Sequence, residues 1–263
     1  GDSRNYGMKR ASGDYFIILD SDCILPTAYF KNVKTALQHN YVDCFGGPDK
    51  ALDSFSNVQK AINYAMTSFF TTGGIRGGSE KLEKFQPRSF NMGLSKKAFE
   101  DSKGFGNIHP GEDPDLSIRL WEKGYKTTLI KDAFVYHKRR IDWNKFYTQV
   151  HKFGKARPIL DSWYPEYSKL TFWFPSLFLI GIVFAFLMML FQFYLPILAL
   201  FAYLLMLFID STLKNKSIKV GALSVTATFI QFYGYGKGYL VSFIKIKLLK
   251  KEPKKAFPEL FFK

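Results

Sequence analysis

Cysteine is scarce in this chain of 263 residues, which contains only Cys23 and Cys44. Neither lies in a CxxC pair or beside a histidine cluster, so the sequence excludes a zinc-binding module and a disulfide framework. Acidic residues are also in the minority, because 22 Asp and Glu oppose 37 Lys and Arg and leave a net charge of +15. Such an excess suits either nucleic acid or the cytoplasmic face of a bilayer.

Charge is missing altogether from two long stretches in the second half of the chain. Residues 172–191 and 193–209 carry no charged side chain. Each stretch is close to the roughly 20 residues that span about 30 Å of hydrocarbon. We therefore expect a transmembrane hairpin over residues 171–210. Two buried helices of a soluble core are the alternative, although soluble helices rarely lack a polar face.

Basic residues flank these apolar stretches instead of following one soluble face, which argues against a nucleic-acid partner and for membrane lipids. We expect the basic clusters, and the domain before the hairpin, to be cytoplasmic. Residues 141–170 are predicted to form an amphipathic segment on the membrane surface, with a helix packed on the domain's own core as the alternative. Residues 218–263 are predicted to be a re-entrant or interfacial element with a basic tail, or else a third crossing.

The first half of the chain, residues 1–140, alternates short apolar runs with polar, glycine-rich connections, as α/β domains do. Asp14 to Leu19 reads as a strand that is apolar on both faces, which is typical of a parallel sheet covered by helices. The crossover connections of such a sheet would precede Gly1. We therefore expect these residues to be the C-terminal part of a larger domain and the sequence to be incomplete at its N-terminus.

Two carboxylates, Asp20 and Asp22, follow this strand directly in "FIILDSDC". They sit at the strand end, where open α/β sheets bind ligands. Carboxylate pairs there repel each other unless they share a cation, and Mg²⁺ or Mn²⁺ takes oxygen ligands from Asp and from substrate phosphates. The alternative is a turn or a helix cap, since Asp favours both.

A second acidic pair, Glu112 and Asp113, lies in "GEDPDLSIRLWEKGY" before a helix predicted from Leu116 to Lys123 and capped by Asp115. A carboxylate there could take a proton from a substrate hydroxyl. The alternative is that both residues only compensate the helix dipole.

A third cluster ends the first half of the chain and consists of His137, Lys138, Arg139 and Arg140. Basic side chains at a strand end suit a diphosphate, and a neutral imidazole suits a metal ion. The alternative is that the basic residues bind acidic lipid headgroups.

Three stretches in this order carry a family resemblance: "SRNYGMKRASGDYFIILDSDC", "SFNMGLSKKAFEDSKGF" and "GEDPDLSIRLWEKGY". With the apolar hairpin behind them, the chain resembles the membrane-associated family 2 glycosyltransferases of bacteria. The resemblance implies the GT-A fold, an α/β, Rossmann-like domain with a mostly parallel sheet, followed by C-terminal transmembrane helices. It also implies a multi-pass protein of the bacterial inner membrane.

The resemblance assigns roles to individual residues. Asp22 would bind Mg²⁺ or Mn²⁺ with help from Asp20 and His137, and Asp113 would be the general base with Glu112 beside it. The reaction implied is inverting transfer of a sugar from a nucleotide-sugar donor to a hydroxyl of a lipid-linked or glycan acceptor in cell-envelope or exopolysaccharide synthesis. The expected donor contacts are Arg4, Asn5, Asp20, Asp22, Lys138, Arg139 and Arg140, and the expected acceptor-side residues are Arg88 and Asn91.

The chain departs from the processive members of the family, which carry a Q-x-x-R-W helix before the membrane. The corresponding "QVHKFGKARPIL" has Gln149, but Arg157 lies too far along and no Trp follows it, which favours single-sugar transfer. Pro158 suggests that Arg157 lies in a loop. A non-catalytic membrane scaffold that keeps the fold and binds a nucleotide or glycan is the alternative, and the joint presence of Asp22, Asp113 and His137 argues against it.

Overall fold

A computed structural model describes residues 1–50, 54–73, 84–137 and 142–262 of the chain. The strands are β1 (Tyr15–Leu19), β2 (Cys23–Ile24), β3 (Cys44–Gly46), β4 (Asp49–Lys50), β5 (Asn91–Ser95), β6 (Thr127–Leu129) and β7 (Val135–His137). The helices are α1 (Asp2–Arg10), α2 (Tyr29–His39), α3 (Asn57–Thr67), α4 (Phe69–Thr72), α5 (Lys96–Ser102), α6 (Glu112–Glu122), α7 (Trp143–Trp163), α8 (Phe174–Leu190), α9 (Leu195–Asn215), α10 (Ile218–Phe243) and α11 (Pro253–Ala256).

The described residues form two compact units. The first contains residues 1–50, 84–137 and 259–262, and the second contains residues 54–73 and 142–258. Helix α3 therefore packs with the helical second unit, although the sequence prediction had placed all of residues 1–140 in one domain.

Two small mixed sheets form the centre of the first unit. Their strand orders are β1-β5-β3-β6 and β2-β7-β4. Strand β5 runs antiparallel to both β1 and β3, while β6 is parallel to β3 and β4 is parallel to β7. The α/β class predicted from the sequence is confirmed, but the described sheets are mixed and not mostly parallel. The difference arises because β5 lies between β1 and β3 and runs antiparallel to both.

Strand β1 is apolar on both faces because each face meets a separate core. Phe16 and Ile18 belong to the cluster formed with α1, α5 and α6, which also contains Met92 and Leu116. The alternate residues of β1 face a second cluster built from α2 and the strand β3 residue Phe45. The period-two alternation of a strand thus distributes its side chains to two cores, and helices cover the sheet on both sides.

The second unit is a bundle in which α10 packs against α7, α3, α9 and α8. Glycines of α10 permit close approach of the neighbouring helices. A Cβ on Gly238 would lie 2.3 Å from the His151 carbonyl oxygen of α7, and one on Gly221 would lie 2.0 Å from Thr212 Oγ1 of α9. Helix α10 is one continuous helix of 26 residues, so the glycines serve packing and do not break it.

Two helical segments are long and apolar enough to cross a membrane, namely Leu170–Leu190 and Leu195–Asn215, with mean hydropathy of 2.3 and 1.9. They coincide with the predicted hairpin. Only 11% of the apolar window of each segment is buried, which distinguishes them from the core helices of a soluble protein.

Helix α7 lies within the predicted segment 141–170 and continues through Pro158, where the sequence suggested a loop. Arg157 therefore lies in a helix and not in a loop. Its guanidinium donates to Asp161 Oδ1 at 3.0 Å and lies 3.7 Å from the centre of the Phe172 ring. Phe146 and Val150 of α7 pack with α3 and α10, so the helix is buried in its own unit, and its predicted contact with a membrane surface stays a prediction.

Candidate active site

The D-x-D residues occupy a tight turn at the end of β1. The backbone N–H of Asp20 donates to the Phe90 carbonyl at 3.3 Å, and the Cys23 N–H donates back to the Asp20 carbonyl at 3.1 Å. These bonds close a turn that points both carboxylates away from the apolar strand. Both side chains remain partly exposed to solvent, as ligand-binding groups require.

Asp22 and His137 come together across the second sheet. Strand β2 pairs antiparallel with β7 and sets Cys23 opposite His137, and His137 Nε2 lies 3.3 Å from Asp22 Oδ1. The imidazole stacks on the Phe90 ring with 4.7 Å between ring centres. The sequence had predicted that these two residues share a site, and the structure brings them to one.

Asp22, Cys23 and His137 offer ligand atoms that lie within 4.8 Å of one another. A carboxylate and an imidazole suit Mn²⁺, which completes its shell with phosphate oxygens and water, and a carboxylate suits Mg²⁺. Burial and the nearby carboxylates raise the pKa of the Cys23 thiol to about 12, and its Sγ donates to the Phe90 carbonyl at 3.4 Å. The thiol therefore stays protonated, and Asp22 and His137 are the residues that fit a hard divalent cation.

Asp49 is a further carboxylate at this cluster, which was not predicted from the sequence. The parallel pairing of β4 with β7 brings it beside His137, where Asp49 Oδ2 lies 3.9 Å from the second imidazole nitrogen, Nδ1. Carboxylates in this position orient metal-ligating histidines. The available signal was the stretch "FGGPD", an acidic residue that closely follows a short buried strand.

Glu112 and Asp113 lie in the first turn of α6 and not in the loop before it. Gly111 precedes the helix and has a φ of 133°, a conformation that favours glycine. The helix therefore begins at Glu112, four residues before the predicted start at Leu116. Asp115 is not the cap, because its carboxylate pairs with Arg119 at 2.6 Å. The acidic first turn complements the helix dipole, as the alternative reading held.

Glu112 is buried and fully bonded. His109 Nδ1–H donates to its Oε1 at 2.7 Å, and the Gly111 N–H donates to its Oε2 at 3.0 Å. Burial by itself would raise the pKa of Glu112, but the hydrogen bond and charge of His109 outweigh it and lower that pKa. Glu112 is therefore an ionised, positioned carboxylate and a poor proton acceptor.

Asp113 has the opposite environment. Its Oδ1 is buried and has no hydrogen-bond partner among the described residues. Burial and the charge of Glu112 raise its pKa, and the opposing effects of Arg88 and Ser89 are smaller. Neighbouring carboxylates with separated pKa values mark acid–base assignments in active sites, and here Asp113 is the one suited to accept a proton.

One guanidinium joins the two acidic motifs. Arg4 Nη2 donates to Asp20 Oδ1 at 2.6 Å, and Arg4 Nη1 lies 3.5 Å from Glu112 Oε1. The same guanidinium lies over the Phe105 ring at 5.5 Å. The D-x-D turn and the first turn of α6 therefore belong to one site.

Residues 15–210 match the model of a protein family described as glycosyl transferase family group 2, which includes both acidic motifs and the apolar hairpin. The chain is a family 2 glycosyltransferase. No curated protein matches the chain. Membership establishes an enzyme that transfers a glycosyl group between a nucleotide-sugar donor and an acceptor.

Within this glycosyltransferase, Asn5 and Asn91 have contacts that favour structural roles. The Asn5 amide donates to the Phe105 carbonyl and accepts from the Phe105 N–H, both at 2.8 Å. Asn91 is fully buried; its amide donates to the Ala133 carbonyl and accepts from the Tyr29 hydroxyl. Since both ends of each amide are occupied, contacts to donor or acceptor stay predictions for these two residues.

The remaining predicted residues divide into two groups. Arg88 lies close enough to Asp113 for its charge to lower the pKa of that carboxyl, which places it in the site of the glycosyltransferase. Lys138, Arg139 and Arg140 lie outside the described residues.

Proposed function

We propose that this glycosyltransferase is a metal-dependent, inverting enzyme that moves one sugar from a nucleoside-diphosphate sugar to a hydroxyl acceptor. The observation that carries the proposal is the Arg4 bridge, which holds the carboxylate of Asp20 and that of Glu112 on one guanidinium. It brings a cation-binding turn and a proton-accepting turn to the same place. A base that activates the acceptor and a cation that stabilises the leaving group both favour a single displacement at the anomeric carbon.

Asp113 is the general base of the proposed reaction. It accepts the proton of the acceptor hydroxyl as the acceptor oxygen forms a bond to C1 of the sugar. The bond from C1 to the diphosphate oxygen breaks at the same time, and the nucleoside diphosphate leaves with the electron pair. Attack opposite the leaving group inverts the anomeric carbon. The raised pKa of Asp113 makes it a stronger base than an exposed aspartate.

Asp22 and His137 would hold the divalent cation, with Asp20 beside them. When bound, Mg²⁺ or Mn²⁺ supplies positive charge to the diphosphate leaving group. Arg4 restrains the Asp20 carboxylate, and Phe90 restrains the imidazole. Lys138, Arg139 and Arg140 remain proposed diphosphate contacts on the basis of the sequence.

The apolar helices support membrane association, and a lipid-linked or glycan acceptor in cell-envelope or exopolysaccharide synthesis is proposed on that basis. The basic clusters on both sides of the hairpin support a proposed location of the first unit on the cytoplasmic side of a bacterial inner membrane. The missing Q-x-x-R-W helix supports single transfer over processive synthesis.

The proposal is tested with the full chain in nanodiscs and a panel of nucleotide sugars, each assayed for transfer and hydrolysis. We expect turnover of one donor, loss of that turnover with a chelator, and recovery with Mn²⁺ or Mg²⁺. Product analysis by NMR should show the opposite anomeric configuration from the donor. Retained configuration, or turnover that the chelator does not change, would contradict the proposal.

A further inference from the structure

Residues 259–262, here called the strap, return to the first unit after the chain has passed through the second. They pack on the loop that leads into α6. The His109 N–H donates to the Leu260 carbonyl at 2.7 Å, and the Phe262 N–H donates to Asn107 Oδ1 at 2.7 Å. Leu260 is completely buried. Two hydrogen bonds and an apolar anchor thus hold the strap against residues 107–109.

The strap also touches His109, the side chain that donates a hydrogen bond to Glu112. The Phe262 ring stacks on the His109 ring with 5.9 Å between their centres and 28° between their planes. His109 Nδ1–H in turn donates to Glu112 at 2.7 Å. The imidazole is otherwise largely exposed to solvent, so the strap and Glu112 are the contacts that fix its orientation in the described structure.

Glu112 is linked to the proposed reacting groups both by an ion pair and by the chain itself. Glu112 lies within 3.5 Å of Arg4, which binds Asp20, and Asp113 is the next residue in the same helical turn. A shift of the His109 loop would therefore move the proposed base and loosen the bridge between the two acidic motifs. Displacement of a catalytic group by about 1 Å can cost about 100-fold in rate.

We infer that the strap is a positioning element for catalysis, which acts through His109 to hold Glu112 and the first turn of α6 in their working geometry. Phe262 and His109 are positioning residues, since neither is placed against substrate. The inference rests on the proposed role of Asp113. It assigns a catalytic purpose to a segment that lies beyond the family match, which ends at residue 210.

The test compares Phe262→Ala and Asn107→Ala, which remove different contacts of the strap, with Phe262→Tyr and Asn107→Asp, which preserve the ring and the acceptor oxygen. Phe30→Ala, an exposed aromatic of α2, is the matched control. We expect kcat to fall about 10-fold in both alanine variants, with donor Kd from calorimetry changed less than about 2-fold. The conservative variants and the control should keep kcat.

Hydrogen exchange provides a readout that does not depend on activity. In the alanine variants, amides of residues 107–112 should exchange about 10-fold faster, while those of β5 keep their rates. Unchanged exchange in both variants overturns the inference. So does a general rise across the first unit with parallel loss of donor binding, because that result means structural support alone. If the wild type turns over no donor, the proposed function fails, and the exchange rates still decide whether the strap holds the loop.

Discussion

In the first unit, the side chains of Asp20 and Asp22 keep 35% and 43% of their surface exposed, whereas in the second unit Arg157 and Asp161 keep only 8% and 4%. Both regions gather charge. The first leaves carboxylate oxygens accessible, and the second closes its ion pair with the Tyr167 carbonyl at 3.1 Å and the Phe172 ring. The carboxylates of Asp20 and Asp22 are therefore available to a ligand, whereas the Arg157–Asp161 pair serves the fold.

The strongest test of this difference is Asp113→Asn. Loss of the general base should lower kcat by about 10²–10⁴-fold and leave donor Kd largely unchanged. Assays over a pH range should show wild-type kcat falling as pH drops through the raised pKa of Asp113. Asp115→Asn is a poor control because it breaks the pair with Arg119, so Asp132→Asn, at an exposed site, is preferred. Full turnover in Asp113→Asn would show that Asp113 is not the general base.

The same variant should stabilise the first unit. Burial raises the pKa of Asp113 in the folded state above its unfolded value, so the folded state binds more protons between those two values. The free energy of unfolding therefore falls as pH rises through that window and stays lower at neutral pH. Asn cannot ionise and so removes this cost. We expect the free energy of unfolding at pH 7, measured by thermal unfolding, to rise by about 0.5–2 kcal/mol. The gain should vanish below the unfolded pKa.

In the second unit the expected effect has the opposite sign. Arg157→Ala leaves Asp161 buried without its partner, and burial already raises the pKa of Asp161 despite the arginine. We expect a loss of about 3–5 kcal/mol in the free energy of unfolding, measured by denaturant titration in detergent. The double variant Arg157→Met with Asp161→Leu should recover most of this loss, since it removes both charges. A neutral Arg157→Ala would show that the pair contributes nothing to the fold.

Asp49→Asn tests whether the carboxylate beside His137 contributes to the candidate metal site. Loss of the carboxylate beside His137 Nδ1 should lower Mn²⁺ affinity about 10–100-fold, measured by electron paramagnetic resonance on the free enzyme. Asp132→Asn makes the same chemical change at an exposed position and should leave affinity unchanged. Equal affinities in the two variants would dissociate Asp49 from the metal site.

The smallest expected effect separates two glycines of the second unit. A Cβ on Gly154 of α7 would lie 2.1 Å from the Tyr235 carbonyl, whereas one on Gly181 of α8 meets nothing within 4 Å. Gly154→Ala should therefore cost about 1–3 kcal/mol through overpacking. Gly181→Ala should be neutral or stabilising by up to about 1 kcal/mol, because alanine is the better helix former. Equal melting temperatures would contradict the close α7–α10 packing.

Patterns local to the chain predicted much of the site. The unbroken apolar run of β1 indicated a strand with two buried faces, and its terminal carboxylates indicated the ligand edge. The start of α6 was wrong by four residues because Gly111 allows a positive φ that no periodicity reveals, and because Pro114 is tolerated in a first helical turn, where its missing N–H has no partner to lose.

Contacts between residues distant in sequence could not be predicted in this way. Arg4 meets Glu112 and the strap meets His109 across more than 100 residues. Pro158 pointed to a loop, yet α7 continues because tertiary packing outweighs local propensity. Asn91 was assigned to the acceptor from its motif, and only the structure places Tyr29 and Ala133 on its amide.

Phe90 contacts three residues of the candidate metal site, namely Asp20, Cys23 and His137, without contributing a charge. Its carbonyl accepts hydrogen bonds from the Asp20 N–H and the Cys23 thiol, and its ring stacks on the His137 imidazole. The position of the His137 imidazole relative to the D-x-D turn is therefore restrained by an apolar residue. Selection between cations of different radius should respond to the size of this ring, so a search for variants that exchange one metal for another begins at Phe90 and leaves the ligands unchanged.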